Sequence, residues 1–261
     1  MPLGLIAVTT FNQLGFTKKC FKSIEGNSFI SDNFNITIYD DFSTDGTKEF
    51  CKKNDIHFVT TDKPRGVTYS WNQAYKRFQQ NNYKYLFIVN NDILIPPGSV
   101  ENLCNWLDKY SLVTPMSSSK GVGHSKGQSV HKYAPIEDSY AHNPLNYIEI
   151  QTKVQEINKG KEPRELNHFS GFFFGLNKSI KKAEYQKGIL FNPANIMIHQ
   201  EGDLKWRLKR NKMLPVVCLQ SFVYHFKGRS TAGARKKGKQ DLTFYHKEYY
   251  AHTNNDSVEK A

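Results

Sequence analysis

Long apolar runs, a basic leader and paired cysteines are all missing from this sequence of 261 residues. No stretch approaches the roughly 18 consecutive apolar residues that a membrane-spanning helix needs, so we expect no transmembrane segment. The four cysteines, Cys20, Cys51, Cys104 and Cys218, lie far apart in the chain and form no CxxC pair. This spacing predicts buried free thiols and is typical of a protein of the reducing cytoplasm.

Acidic residues are few as well. The chain has 24 Asp and Glu against 36 Lys and Arg, which gives a formal net charge of +12. Such a balance favours acidic partners, among them nucleotide phosphates, nucleic acid, anionic lipid and acidic glycans, and charge alone does not choose between them. A GxGxxG motif is missing after the first apolar segment, which argues against a dinucleotide-binding oxidoreductase.

Strand-like and helix-like patterns alternate through the first half of the chain, with Thr68–Gln79 as the longest predicted helix. The predicted strands are Leu3–Thr10, Asn35–Tyr39, His57–Thr60 and Tyr85–Val89. This βαβα alternation predicts an α/β fold with a mostly parallel sheet between helices. Three strands end in polar clusters, at Thr9–Thr10, Asp40–Asp41 and Asn90–Asn91–Asp92. Because ligands of such sheets bind outside the carboxyl ends of the strands, these clusters indicate a binding site.

The second half is less regular. Met116–Lys132 is rich in Ser, Gly and Lys, which predicts a mobile loop, and residues 116–165 as a whole read as an irregular insertion that could contact an acceptor. Apolar strands and a helix near Glu201–Asn211 follow, and we expect Trp206 in the core. We therefore predict one domain over residues 1–231, followed by a basic C-terminal extension over residues 232–261.

Several segments, taken in their order along the chain, resemble the family 2 glycosyltransferases of the GT-A fold, a Rossmann-like fold. They are AVTTFN (7–12), IYDDFSTDGT (38–47), RGVTYSWNQAY (65–75), FIVNNDILIPPGS (87–99), HQEGDLKWRLKRN (199–211) and VYHFKGRST (223–231). The NND form of the metal motif, with a late HxxGxS, is similar to the rhamnosyltransferase-like branch. The resemblance implies transfer of a sugar from a nucleoside diphosphate sugar to an acceptor hydroxyl.

The donor nucleotide is expected at the strand ends. Asp40 or Asp41 could accept a hydrogen bond from the ring N–H of uracil or thymine, although a DxSxDG segment also occurs as a plain capped turn. The resemblance implies a UDP- or dTDP-sugar, with Arg65 beside the base and a basic segment after the late histidine that folds over the phosphates. The residues expected to contact the donor are Thr9, Thr10, Asn12, Asp40, Asp41, Arg65, Asn72, Asn90, Asn91, Lys227, Arg229 and Ser230.

A divalent metal, Mn2+ or Mg2+, is expected on Asp92, because such cations bind through one or two carboxylates together with substrate phosphates and water. The family uses a DxD-type motif here, whereas this chain has Asn90 in place of the first acid. By the same resemblance, His225 is a further metal ligand, and the alternative is an ordinary histidine at a strand end.

Glu201 and Asp203 are the candidates for the catalytic base. The resemblance places Glu201 where the family has its catalytic aspartate and implies a single inverting displacement. The alternative is a plain helix N-terminus, where acidic residues favour the helix dipole.

The acceptor is expected to be a glycan or a lipid-linked glycan. One alternative is a glycosyltransferase that acts on hydroxymethylated bases of DNA, since the Lys-rich loop and tail could follow a phosphate backbone. A second alternative is a non-catalytic carbohydrate- or nucleic-acid-binding module on a degenerate transferase fold, which the missing first acid of the metal motif favours.

Overall fold

A computed structural model describes residues 2–197 and 199–227. Arg229, Ser230 and the basic extension over residues 232–261 lie outside these described residues. The strands are β1 (Gly4–Thr10), β2 (Phe34–Asp40), β3 (Phe58–Thr60), β4 (Tyr85–Asn90), β5 (Ile93–Leu94), β6 (Leu112–Met116), β7 (Arg164–Glu165), β8 (Phe173–Asn177), β9 (Val216–Phe222) and β10 (Tyr224–His225). The α-helices are α1 (Leu14–Glu25), α2 (Ser28–Asn33), α3 (Thr47–Lys53), α4 (Val67–Gln80), α5 (Ser99–Leu107), α6 (Ser119–Val122), α7 (Asp138–Ala141), α8 (Tyr147–Ile157) and α9 (Gln200–Arg210).

Eight of these strands form one mostly parallel sheet in the order β3-β2-β1-β4-β8-β6-β9-β7. The strands β3, β2, β1 and β4 pair in parallel, as do β6 and β9, while β8 and β7 run antiparallel to their neighbours. The βαβα alternation of the first half therefore produces the predicted parallel sheet, because each strand needs a helical crossover to return in the same direction.

Both faces of the sheet are covered. Leu5 and Ala7 of β1 face one apolar cluster, which includes Trp71 of α4, while Ile6 and Val8 face the other, under α1 and α5. Successive side chains of a strand point to opposite faces, so an unbroken apolar strand is what a sheet buried on both sides requires. All four cysteines are buried and free, as predicted from their spacing.

The segment over residues 116–165 is not the irregular insertion that its composition suggested. It contains α6, α7, α8 and short 3-10 turns, and α8 packs Ile150 and Val154 into the core beside β9. The Ser- and Gly-rich part is packed as well: Gln128 is fully buried, and its side chain bonds Pro115 O (3.4 Å) and the Ser170 N–H (2.7 Å). The polar residues here satisfy buried backbone groups, which composition alone does not distinguish from a solvated loop.

A second, small sheet joins the two halves of the chain. β5 pairs antiparallel with β10, with His225 opposite Ile93, and the Phe226 N–H donates to Asp92 O at 3.0 Å. This pairing brings the segment around His225 to the end of β4. Among the described residues, we find no helix with the length and apolar character needed to span a bilayer.

Candidate functional site

Three strand ends meet at one edge of the sheet. The register of the parallel strands places Thr10 of β1 opposite Asp40 of β2, and Thr9 opposite Asn90 of β4. The polar clusters that end these strands in the sequence are therefore neighbours in space. We name two parts of this edge after their predicted roles: the donor rim, at the ends of β1 and β2, and the metal pair, which is Asp92 after β4 and His225 in β10.

The donor rim comprises Thr10, Asn12, Asp40, Asp41 and the turn at residues 65–66. Asp41 is 4% exposed and accepts the backbone N–H groups of Arg65 (Oδ1, 2.7 Å) and Gly66 (Oδ2, 2.9 Å). Gly66 has φ +84°, and a Cβ at this position would lie 2.2 Å from Ile196 Cγ2. Only glycine fits this turn, which Asp41 fixes at the start of α4.

Asp40 has a similar role in the neighbouring loop. Its carboxylate is 1% exposed, accepts the Ser43 N–H at 3.2 Å and accepts the Thr60 hydroxyl at 2.8 Å. The Asn12 amide oxygen accepts the Thr44 N–H at 2.9 Å, and the Asn12 N–H donates to Ser43 Oγ at 2.7 Å. The two loops that follow β1 and β2 are thus held to each other.

Asn91 fastens the end of β4 to the same loops. It is 2% exposed, and its Nδ2 donates to Thr10 Oγ1 (2.9 Å), Thr17 Oγ1 (3.0 Å) and Asn12 O (3.2 Å). Asn91 therefore stabilises the loop after β1 that forms part of the donor rim. The hydroxyl of Thr9, also buried, donates to Val89 O at 3.4 Å.

Two further residues of the predicted donor set have structural partners. Asn72 bonds the backbone of Phe191 in both directions, through Nδ2 at 2.8 Å and Oδ1 at 2.9 Å, so its amide holds α4 to the segment before α9. Arg65 is exposed on the rim, where it pairs with Asp62 (2.8 Å) and lies over the ring of Tyr69. Arg65 is placed to contact a ligand, whereas Asn72 is occupied by backbone.

The metal pair differs in kind from the donor rim. Asp92 is 2% exposed, and neither of its carboxylate oxygens has a hydrogen-bond partner within the described residues. Oδ1 lies 3.3 Å from Nε2 of His225, which is itself 8% exposed. A buried carboxylate without hydrogen bonds is costly unless a cation neutralises it. The residues present therefore fit a divalent cation.

The orientation of His225 is fixed on its other side. Its Nδ1 lies 2.8 Å from Gly121 O of α6, and its ring stacks on Phe172 with centroids 4.8 Å apart. An Nδ1–H that donates to a carbonyl leaves the Nε2 lone pair directed at Asp92, which is the arrangement of a metal-binding imidazole. Asn90 joins the same group of contacts, because its N–H donates to Phe172 O at 2.9 Å.

Glu201, near the start of α9, contacts the residue that precedes Phe172. Its Oε1 accepts the N–H of Gly171 at 2.9 Å, and Gly171 directly precedes the Phe172 that stacks on His225. A Cβ on Gly171 would lie 2.5 Å from Glu201 Oε1, so the close approach of this carboxylate depends on glycine. The half-buried Glu201 is thereby held to the residue that precedes Phe172, with one oxygen free of any described hydrogen bond.

Asp203 faces elsewhere. Its Oδ2 bonds both Nε (3.2 Å) and Nη2 (2.7 Å) of the buried Arg207, one turn further along α9. Trp206 is 56% exposed and lies beside the guanidinium of Arg210, so the expectation that it belongs to the core is wrong. The helix turns its Leu204 and Leu208 inward instead.

Lys227, the last described residue, is exposed and lies against Gly123, at the end of the α6 turn. It is on the same side as Gly121, whose carbonyl contacts His225. Below the metal pair, Cys20 is fully buried, and burial, together with the nearby charge of Asp92, raises the pKa of its thiol to about 12. Cys20 is thus a neutral thiol at physiological pH.

Sequence reasoning missed the groups that orient the site. The Gly171 N–H, the Phe172 ring and the Gly121 carbonyl position Glu201 and His225, and Gln128 supports the turn at Ser170. Gly171 and Phe172 are neighbours in the segment HFSGFFFG (168–175), and the glycine N–H and the aromatic ring are the groups that contact Glu201 and His225. Backbone donors and acceptors carry no sequence signal of their own.

The fold is similar to those of solved glycosyltransferase structures. The mannosyltransferase PcManGT from Pyrobaculum calidifontis, in complex with GDP-Man and Mn2+, is 12% identical with a TM-score of 0.57, over 86% of this chain and 56% of that one. GalNAc-T7 with UDP, GalNAc and Mn2+ is 11% identical with a TM-score of 0.60, over 85% of this chain and 43% of that one. S. aureus TarS 1-349 in complex with UDP-GlcNAc is 16% identical with a TM-score of 0.54, over 84% and 57%.

These similarities establish the GT-A fold, and the chain spans between 43% and 57% of the length of the three structures. A sequence model of glycosyl transferase family 2 matches residues 5–183, more than half of the chain. The chain therefore belongs to glycosyl transferase family 2. No curated protein sequence matches it significantly.

Proposed function

We propose that this protein transfers a sugar from a nucleoside diphosphate sugar to an acceptor hydroxyl, with a divalent cation at Asp92 and His225. The observation that carries the proposal is the buried Asp92 carboxylate, which has no hydrogen-bond partner in the described residues and faces an imidazole whose other nitrogen is fixed. Family membership and the Mn2+ complexes of two neighbours support the same reading.

Asp92 and His225 would hold the cation from the protein side. Bound there, Mn2+ or Mg2+ supplies positive charge that stabilises the departing diphosphate. An imidazole ligand favours Mn2+ over Mg2+, because Mg2+ prefers oxygen ligands throughout. With Asn90 in place of a first acid, the protein offers one carboxylate fewer than a DxD site, and the donor diphosphate would have to supply more of the ligands.

Glu201 is our candidate for the base that removes the acceptor proton. Its carboxylate is held by the N–H of Gly171, one residue before the Phe172 ring that stacks on His225, and one oxygen is left to face an acceptor hydroxyl, whereas Asp203 is bonded to Arg207. A base needs to be ionised and within hydrogen-bond reach of the proton that it takes. The acceptor oxygen would bond to the anomeric carbon as the bond from that carbon to the diphosphate oxygen breaks, so that the nucleoside diphosphate leaves and the configuration inverts.

The donor rim is the proposed nucleotide site. Asp40 and Asp41 accept backbone N–H groups and hydroxyls, so both shape the pocket, and the Asp40 carboxylate keeps further lone pairs for a base N–H. Arg65 and Tyr69 are exposed beside them. A uridine or thymidine diphosphate donor fits the resemblance, and two of the neighbours carry uridine nucleotides.

A glycan or lipid-linked glycan is the proposed acceptor. The net charge of +12 also suits hydroxymethylated DNA, for which transfer to such DNA and binding that weakens steeply with salt are the distinguishing results. A non-catalytic binding module is the third reading. It predicts nucleotide or glycan binding without turnover, and without dependence on Glu201.

The test is a thermal-shift panel of UDP, dTDP, GDP, ADP and CDP, each with EDTA, with Mn2+ and with Mg2+, with metal-only samples as reference. A nucleotide at 100 times its dissociation constant stabilises the fold by about 2.7 kcal/mol. We expect one nucleotide to shift the melting temperature only in the presence of metal, and Asp92→Asn to remove that shift. No nucleotide shift under any condition contradicts the proposal.

A further inference from the structure

A second group of metal-ligating side chains lies outside the site described above. His131, Asp138 and His142 bring two imidazole nitrogens and a carboxylate oxygen within 4.8 Å of one another. We call these three residues the histidine cluster. His142 follows Asp138 by one helical turn at the end of α7, and His131 comes from the segment before it.

The geometry of each imidazole presents a lone pair to the carboxylate. His131 Nδ1 bonds the Ile136 carbonyl, and its buried Nε2 contacts Asp138 Oδ1 with no hydrogen-bond partner among residues 2–197 and 199–227. His142 Nε2 lies 3.2 Å from Ser119 Oγ, accepts the Lys120 N–H at a long 3.4 Å and lies 3.7 Å from Asp138 Oδ1. With both protons placed on the outer nitrogens, two lone pairs face one anionic oxygen.

A bound cation would accept both imidazole lone pairs and neutralise the Asp138 carboxylate. Tetrahedral zinc has bonds of about 2.0–2.2 Å to nitrogen and oxygen, which places its ligand atoms roughly 3.4 Å apart. The 3.7 Å between His142 Nε2 and Asp138 Oδ1 is close to that separation, whereas His131 Nε2 and Asp138 Oδ1 are in direct contact and would have to move apart to admit the ion. Two imidazoles with one carboxylate suit zinc and similar transition ions, whereas Mg2+ prefers oxygen alone. We infer that the histidine cluster is a second divalent-cation site, of the zinc-binding type, distinct from the metal pair.

The contacts around the histidine cluster indicate that a bound cation would help to position His225. The Ser119 hydroxyl donates to Asp138 (2.9 Å), and two residues on in the same short helix the Gly121 carbonyl contacts His225 (2.8 Å). The Tyr224 hydroxyl donates to the carbonyl of His142 at 2.8 Å. A cation on the cluster would therefore tie α6 and α7 together on the side of His225 that faces away from Asp92.

The experiment uses the full chain, stripped with EDTA, exchanged into chelator-free buffer and titrated with Zn2+ against a chromophoric competitor. The variants are Asp138→Asn and His142→Gln at the cluster, Asp92→Asn at the other site, and His124→Gln as a matched control, an exposed histidine of the same segment. Because even outer-shell changes weaken metal sites by about 10–100-fold, loss of a ligand should cost at least about 100-fold in zinc affinity.

The cluster offers three protein ligands and the metal pair only two, so in the absence of nucleotide we expect tight zinc binding at the cluster alone. One tight equivalent is expected in the wild type, in His124→Gln and in Asp92→Asn, and none in the two cluster variants. In EDTA all five proteins should melt alike, and zinc should raise the melting temperature only of those that bind it, which separates loss of a ligand from loss of the fold. Zinc affinity that survives Asp138→Asn, or that is lost in Asp92→Asn, overturns the inference, as does a wild type without tight zinc. The outcome is independent of sugar transfer, since no nucleotide is present.

Discussion

The donor rim and the metal pair lie at the same edge of the sheet, yet they treat their carboxylates in opposite ways. On the rim, Asp40 and Asp41 each accept several hydrogen bonds from the loops that follow their strand. At the metal pair, Asp92 is just as deeply buried and accepts none from the described residues.

The number of hydrogen bonds that a buried carboxylate accepts indicates whether it stabilises a loop or binds a ligand. Carboxylates that accept backbone N–H groups stabilise the loops that carry them, since such charge-assisted bonds are strong and local. A buried carboxylate left without donors lowers stability and is retained where a ligand completes it. We therefore expect substitutions on the rim to change the free energy of unfolding, and substitutions around the metal pair to change binding and turnover.

The largest effect is expected for Glu201→Gln. The glutamine oxygen still accepts the Gly171 N–H, so the fold and nucleotide binding should be preserved, whereas proton removal from the acceptor is lost. A general base contributes about 10²–10⁴-fold to the rate. Single-turnover transfer should fall by that factor at unchanged nucleotide affinity. Wild-type turnover in this variant would reassign the base.

Asp92→Asn should remove the metal-dependent part of nucleotide binding, a loss of about 2.7 kcal/mol of stabilisation at saturating ligand. In EDTA the variant should melt no lower than the wild type, because the amide replaces a buried charge that lacks hydrogen bonds. Thermal melts with and without Mn2+ check both statements. A marked destabilisation in EDTA would mean that the Asp92 charge is satisfied by the protein itself.

Asp41→Asn tests the opposite behaviour on the donor rim. The variant keeps one acceptor oxygen but directs an NH2 group at the other backbone N–H, Arg65 or Gly66, which leaves a buried donor unpaired. We expect a loss of about 2 kcal/mol in the free energy of unfolding, measured in urea. The control is Asp62→Asn, an exposed partner of Arg65, which should change stability little. Equal effects of the two variants would contradict the structural role of Asp41.

The smallest effect is expected for Asp203→Asn, the counterpart of Glu201→Gln in the same helical turn. It weakens a largely buried i,i+4 pair with Arg207 but leaves an amide oxygen to accept a hydrogen bond from the guanidinium, so we expect a loss of about 1 kcal/mol of stability. Turnover should stay close to that of the wild type, because this carboxylate points along the helix. Transfer assays run beside Glu201→Gln compare the two acids, and a large loss in Asp203→Asn would make Asp203 the base.

Much of the sheet is readable from the sequence, because buried parallel strands are continuous apolar runs and their polar ends mark the ligand edge. Asp92 and His225, 133 positions apart by their numbering, are adjacent in the structure, as the resemblance implied. The role of the residues around them is not readable in the same way. Whether an asparagine faces a ligand or a backbone group, as Asn72 does, depends on tertiary contacts that no local pattern encodes.

The segment over residues 116–165 shows the same limit more strongly. Its polar composition is typical of a solvated loop, yet its side chains satisfy buried backbone groups and hold two histidines and an aspartate together. The i,i+4 spacing of Asp138 and His142 is a signal that one helical turn could bring them together. The approach of His131 depends on the fold of the whole segment.

The two-residue pairing of β10 with β5 has a consequence for how the protein is made. Asp92 leaves the ribosome early, whereas His225 arrives only after 132 further residues have been added, and domains begin to fold from the N-terminal side during synthesis. A nascent chain that has formed β1 to β4 would have the donor rim and Asp92 but not yet His225. Affinity for the proposed metal would thus be acquired only by molecules in which β10, with His225, has paired with β5.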